Sequence, residues 1–275
     1  MAKDKYSAVW VSHSSIRDYL ACPRAYFLKN IYRDPKTNHK VMLMQPPLAL
    51  GQAVHEVIDS LSVLPVEERF TESLLAKFER VWQGVSGKRG GFRDTEEEET
   101  FKSRGIAMIR RVMENPGILR NKAIKIRQEL PSFWLSEEDN IILCGKIDWL
   151  EYLDDLDSVH IIDFKTGKFD EDGDSLQLPI YLLLATNCQT KPVARASYWY
   201  LARDNEPQEA GLPKLEEAKD CVMESARTIA LARKLERFVC KHKGGCRACR
   251  SYEEIVAGRA EFVGVGGYKQ DIHIL

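Results

Sequence analysis

Apolar positions along the chain follow two periods. Leu48, Leu50, Val54, Val57, Ile58 and Leu61 recur at helical spacing and predict an amphipathic helix with one buried face over 48–61. Further helices are predicted over 14–30, 71–82, 96–115, 175–187 and 215–238, and strands near 123–130, 141–153, 158–165 and 194–202. Helices, then a strand cluster, then helix, strand and helix predict an α/β fold. Its core has three layers, a central mixed sheet flanked by helices, with a helical region at the N-terminal end. The glycine-rich stretch 84–95 predicts a mobile loop, and the tail from Gly258, with Gly264, Gly266 and Gly267, predicts no element. A chain of 275 residues suffices for one good core, placed at 48–202 with a helical insertion near 65–120. No internal repeat or transmembrane run interrupts this pattern.

Within the strand cluster, Gly145-Lys146-Ile147-Asp148 and the segment 161–167 set an isolated aspartate one strand away from Asp163-Phe164-Lys165. Alternation turns Asp163 and Lys165 to one face while Phe164 enters the core. Two carboxylates and an ammonium then converge. Such carboxylates suit Mg²⁺ or Mn²⁺, and the lysine can orient a water or neutralise charge at phosphorus. Asp-x-Lys alone reads as a surface ion pair, so the neighbours matter. Gln177 and Tyr181 are four apart and share a helical face, with Pro179 confined to the first turn. His55, in Gly51-Gln52-Ala53-Val54-His55, can offer an imidazole from the 48–61 helix.

The order Gly-x-x-x-His, Gly-x-x-Asp, Asp-x-Lys, Gln-x-x-x-Tyr resembles the RecB-type branch of the PD-(D/E)XK nuclease superfamily, from about residue 12 to residue 250. The resemblance implies a restriction-endonuclease-like core in a single nuclease domain. It implies that His55, Asp148, Asp163 and the Phe164 carbonyl ligate the metal and that Lys165 is catalytic. Gln177 and Tyr181 would position the substrate. Glu129, on the 123–130 strand, is a further carboxylate without an assigned role.

Seven cysteines, an odd number, with no hydrophobic N-terminal segment, argue for a reducing cytoplasm. Cys144, Cys188 and Cys221 stand singly and read as packing residues. Cys240, Cys246 and Cys249 flank Gly244-Gly245, and Cys22 is the candidate fourth ligand. Four thiolates suit zinc and an iron-sulfur cluster equally on spacing alone. One early cysteine and three late ones resemble the [4Fe-4S] staple of AddB-type nucleases and CRISPR-associated RecB-like exonucleases, although here the longer gap precedes the shorter. The resemblance implies a cluster lobe made of 12–30 and 235–255.

A formal net charge of −1 does not itself suggest a nucleic-acid binder. Charge is segregated, however. Residues 233–250 carry seven Lys or Arg against Glu236, and a second basic run covers Arg104, Arg110, Arg111, Arg120, Lys122, Lys125 and Arg127. The acidic run Glu96–Glu99 reads as a helix N-terminus. The resemblance implies a DNA exonuclease acting on single strands or ends, in CRISPR spacer acquisition or recombinational processing, with an integrase, helicase or recombination protein as partner. The competing readings are a nuclease-fold DNA-binding or assembly subunit with little catalysis, and a zinc-binding structural protein.

Overall fold

A computed structural model describes residues 4–275. The four-stranded sheet at its centre runs β5-β6-β7-β8 and comprises β5 (Trp149–Leu153), β6 (Ser158–Lys165), β7 (Val193–Tyr200) and β8 (Gln208–Ala210). β6 pairs antiparallel with β5 and parallel with β7, and β7 pairs antiparallel with β8, so the sheet is mixed. Alternation along these strands sends residues into two cores. Trp149, Ile162, Phe164 and Trp199 face α3 (Pro46–Asp59), α4 (Leu74–Trp82) and α5 (Thr95–Glu114). Leu150, Ile161 and Ala196 face α6 (Gln177–Cys188) and α7 (Leu215–Lys234). Helices on both faces give the expected three layers. Within the stretch 65–120, α4 and α5 pack over α3 and share its apolar core.

Local chemistry explains the helix limits. Pro46 and Pro47 open α3 where missing N–H groups cost nothing, and Ala49, Leu50, Ala53, Val54, Val57 and Ile58 form its buried face. Leu48, assigned to that face by its sequence, is exposed. Asp94 caps α5 by accepting from the Glu97 N–H, and Glu96, Glu97 and Glu98 fill its first turn, as the acidic run suggests.

Several expectations are corrected. The single helix 14–30 is α1 (His13–Ala21), then α2 (Pro23–Tyr26), then a π-helical turn, Phe27–Ile31, because Cys22 is extended before Pro23. The strand 141–153 is broken: β4 (Ile141–Cys144) and β5 flank a bend that carries Asp148. The strand 123–130 reduces, among the described residues, to one bridge between Ala123 and Glu151, and its charged residues line an open cleft. The helix 215–238 stops at Lys234, after which Glu236 takes a left-handed conformation. The loop 84–95 is packed in 3₁₀ turns: Val85 and Phe92 are buried, and Glu98 accepts hydrogen bonds from Trp82 Nε1, Ser86 Oγ and the Gly87 N–H.

Other elements have no counterpart in the sequence reading. β1 (Val9–Val11) lies parallel to β4, with β3 (Ser132–Ser136) antiparallel on its other side. The tail forms β9 (Glu261–Gly266) and β10 (Gln270–Ile274), with β2 (Lys40–Leu43) parallel to β10. The expected central sheet is thus accompanied by two small ones. A last helix, α8 (Arg247–Val256), packs on α2 and β2.

Candidate active site

The C-terminal end of β6 presents Asp163 and Lys165 beside the first turn of α6. Asp163 Oδ1 accepts hydrogen bonds from Gln177 Nε2 (2.7 Å) and Tyr181 Oη (3.2 Å). Gln177 turns its amide oxygen to Lys165 Nζ, so one side chain bridges the acid and the ammonium. This follows from the i, i+4 spacing, with Pro179 accommodated in the first turn. Asp148 reaches the same spot from its bend: Oδ2 accepts the Phe164 N–H at 3.0 Å and lies 3.4 Å from His55 Nδ1. His55 is also hydrogen-bonded to the Phe164 backbone. Gly51, one turn earlier on α3, matters here because a Cβ would stand 3.3 Å from Thr166 Oγ1, crowding the helix against the end of β6.

Electrostatics in this spot are unbalanced. Burial, then repulsion from Asp163, pushes the Asp148 carboxyl well above the ordinary range. Burial also raises Asp163, against the pull of Lys165. Burial lowers His55, favouring the neutral ring that can act as a ligand. Asp163 Oδ2 lies 2.9 Å from Lys165 Nζ, yet it is buried and receives no well-directed hydrogen bond. A buried carboxylate oxygen without a proper donor, beside a second carboxylate and a neutral imidazole, fits a divalent cation with oxygen preference.

A cleft of about 650 Å³ opens over Asp148 and His55. Lys125, Arg127 and Lys146 line it, as do Glu129 and Asp59. The rest of the second basic run is dispersed: Arg104 lies over Phe101, Arg120 over Phe70, and Lys122 pairs with Asp154. Two nearby carboxylates escaped the sequence reading. Asp59 follows His55 by one helical turn, a spacing that could have revealed it. Glu171 lies in an irregular loop and pairs with Lys165 at 2.6 Å, which no periodicity signals.

The cysteines meet elsewhere. Sγ atoms of Cys22, Cys240, Cys246 and Cys249 all lie within 4.8 Å of one another, so Cys240 joins the other three despite its unusual spacing. Cys246 caps α8, where backbone N–H groups, chiefly that of Cys249, lower its thiol to about 6. Gly245 has φ of +85° and comes so close that a Cβ would lie 3.3 Å from Cys249 Sγ. Cys144, Cys188 and Cys221 stay outside this group. A tetrahedral ion with metal–sulfur bonds of about 2.3 Å sets its sulfurs about 3.8 Å apart. The Cys246–Cys249 separation is 3.8 Å. Four thiols gathered this closely could hold a metal ion.

A mixed sheet between helical layers, with two acids and a lysine converging at its strand ends and a four-cysteine group apart from them, defines an α/β protein of nuclease type. The family model of the PD-(D/E)XK nuclease superfamily matches residues 10–253, and the chain belongs to that superfamily. Members are typically metal-dependent nucleases, so nucleic acid is the class of substrate the family indicates. No curated protein matches the chain. Among the described residues no helix is long and apolar enough to cross a membrane.

Proposed function

We propose that the protein is a Mg²⁺- or Mn²⁺-dependent deoxyribonuclease that hydrolyses phosphodiester bonds in single-stranded DNA or at DNA ends, primarily as an exonuclease. The observation supporting this is the convergence of His55, Asp148, Asp163 and Lys165, from three separate stretches, beside one cleft. His55, both aspartates and the Phe164 carbonyl would hold the cation, which supplies positive charge at the phosphodiester and makes water a better nucleophile. Gln177 and Tyr181 fix Asp163 through Oδ1, and the Phe164 N–H fixes Asp148. Gln177 and Tyr181 therefore act on the acid they touch. Lys165 brings a fixed positive charge to the phosphate in a site largely shielded from water. Lys125, Arg127 and Lys146 give the cleft a basic wall for neighbouring phosphates.

The cysteine centre is proposed to tie residues 12–30 to 235–255. Resemblance supports [4Fe-4S] there, with a single ion such as zinc as the alternative; anaerobically purified protein is brown in the first case and colourless in the second. By its resemblance, CRISPR spacer acquisition or recombinational processing in the cytoplasm, alongside an integrase or a helicase, is the setting we propose for such a nuclease.

End-labelled single-stranded DNA incubated with the anaerobic protein and Mn²⁺ tests the proposal, with EDTA and Asp148→Ala as controls. Metal-dependent digestion absent from the variant is expected, and the product ladder gives polarity. Failure to digest linear or circular DNA, single- or double-stranded, would instead support a DNA-binding or assembly subunit.

A further inference from the structure

The Lys165 ammonium is already surrounded. Gln177 Oε1 accepts one hydrogen bond, Asp163 Oδ2 lies at 2.9 Å and Glu171 Oε2 at 2.6 Å, with the Tyr198 ring 4.9 Å away. Three oxygens crowd the ammonium, and with Gln177 and Glu171 held against it a substrate oxygen has to compete for its N–H groups. One must yield when substrate arrives. Gln177 is anchored in α6, and Asp163 is buried in β6. Glu171 is different, because it belongs to the irregular segment 166–176 between those elements.

This segment is held by polar contacts. The Glu171 N–H donates to Tyr200 Oη at 3.0 Å, Asp170 pairs with Arg203, and Ser175 lies 3.5 Å from His13 Nε2. No residue from Gly167 to Ser175 is buried, and Phe169 is almost wholly exposed. Releasing it therefore forfeits little apolar burial. Asp170, Glu171, Asp172 and Asp174 against Lys168 also make it an acidic stretch beside a site for a polyanion.

We propose that Glu171 is a substrate-exchanged ligand of Lys165: its carboxylate occupies the place that a phosphate oxygen of the nucleic-acid strand takes, and binding displaces it with its loop. This rests on the nuclease reading, with Glu171 as a further determinant of substrate affinity. The carboxylate keeps the ammonium paired without DNA and makes each binding event an exchange of one anion for another.

The test is fluorescence anisotropy of a labelled single-stranded oligodeoxynucleotide in EDTA, comparing wild type, Glu171→Gln and Asp172→Asn. Asp172 lies in the same loop and contacts Asp174 rather than Lys165, so its variant matches the charge change alone. Glu171→Gln should bind roughly 3- to 10-fold tighter than wild type, and Asp172→Asn much less so. The gain should vanish in a Lys165→Met background. Equal tightening by both variants, persistence of the gain without Lys165, or weaker binding by Glu171→Gln would overturn the proposal. Because the readout is binding without metal, absence of cleavage by wild type would defeat the nuclease reading and leave this comparison standing.

Discussion

The carboxylate site and the cysteine centre both gather potential metal ligands, but different forces assemble them. Asp148 and Asp163 are carried by a central sheet with apolar cores on both faces, and their mutual repulsion opposes the arrangement. The scaffold holds them in place. Around the cysteines the apolar support is small: Ala25 and Leu28 are buried together with Cys22 and Cys249 themselves. Arg24 and Glu253, distant in sequence, add an ion pair of 2.6 Å at half-exposed positions, which contributes little alone. One region should therefore keep its fold and lose its chemistry when a ligand is removed. The other should lose its fold.

The largest effect expected is on cleavage. Asp148→Ala, Asp163→Ala or Lys165→Ala should each lower the rate roughly 10³-fold or more. For Asp148→Ala a rise in the melting temperature of the metal-free protein is expected, because the change removes a buried carboxylate that burial and Asp163 disfavour. A collapsed melting temperature in this variant would erase the contrast between the regions. Next comes Cys249→Ser, at a fully buried position. It should cost roughly 3 kcal/mol or more in stability, seen as lower solubility and earlier melting, because metal binding is folding free energy in such a lobe. Normal melting would show that the packing around Cys22 and Ala25 suffices without the metal.

Legibility in the sequence follows the same division. β6 spans the residues its sequence indicates, and α3 and α5 nearly so, because each is encoded by local period and caps. Asp163, Lys165, Gln177 and Tyr181 could be singled out because short spacings put them on strand or helix faces, whereas Asp148 sits on a bend where a continuous strand was expected. What was not legible depends on distant partners. β10 pairs with β2, more than two hundred residues away, and its hairpin keeps Phe262 and Val265 exposed, so no amphipathic pattern announces it. Ile124 and Ile126 alternate as in a strand, yet the intervening Lys125 and Arg127 face the cleft, and pairing stops after one bridge. Glu171 becomes visible only when the loop folds back on Lys165.

A smaller effect measures how firmly the scaffold aims its acid. Tyr181→Phe removes one of two hydrogen bonds to Asp163 Oδ1 and leaves the ring in the core. Mn²⁺ affinity, measured calorimetrically with the metal-free protein, should fall about 10-fold, with cleavage falling in parallel. An unchanged affinity would assign Tyr181 to the substrate instead.

The smallest effect probes the polar support beside the cysteine lobe. Asp271 on β10 is buried, accepts from Thr37 Oγ1 at 2.5 Å and lies 2.8 Å from His39 Nδ1, fastening the segment before β2 to the C-terminal hairpin. Burial alone would raise its carboxyl, but the Thr37 and His39 contacts outweigh burial and hold it below the ordinary range. A depressed folded pKa stabilises the fold above the unfolded value and ceases to do so as pH falls through the folded value. Asp271→Asn should thus lower stability by about 1 kcal/mol at neutral pH, with the deficit shrinking on acidification below roughly pH 4. Melting curves of both proteins across that range provide the measurement. A deficit independent of pH would mean that shape rather than charge secures the hairpin.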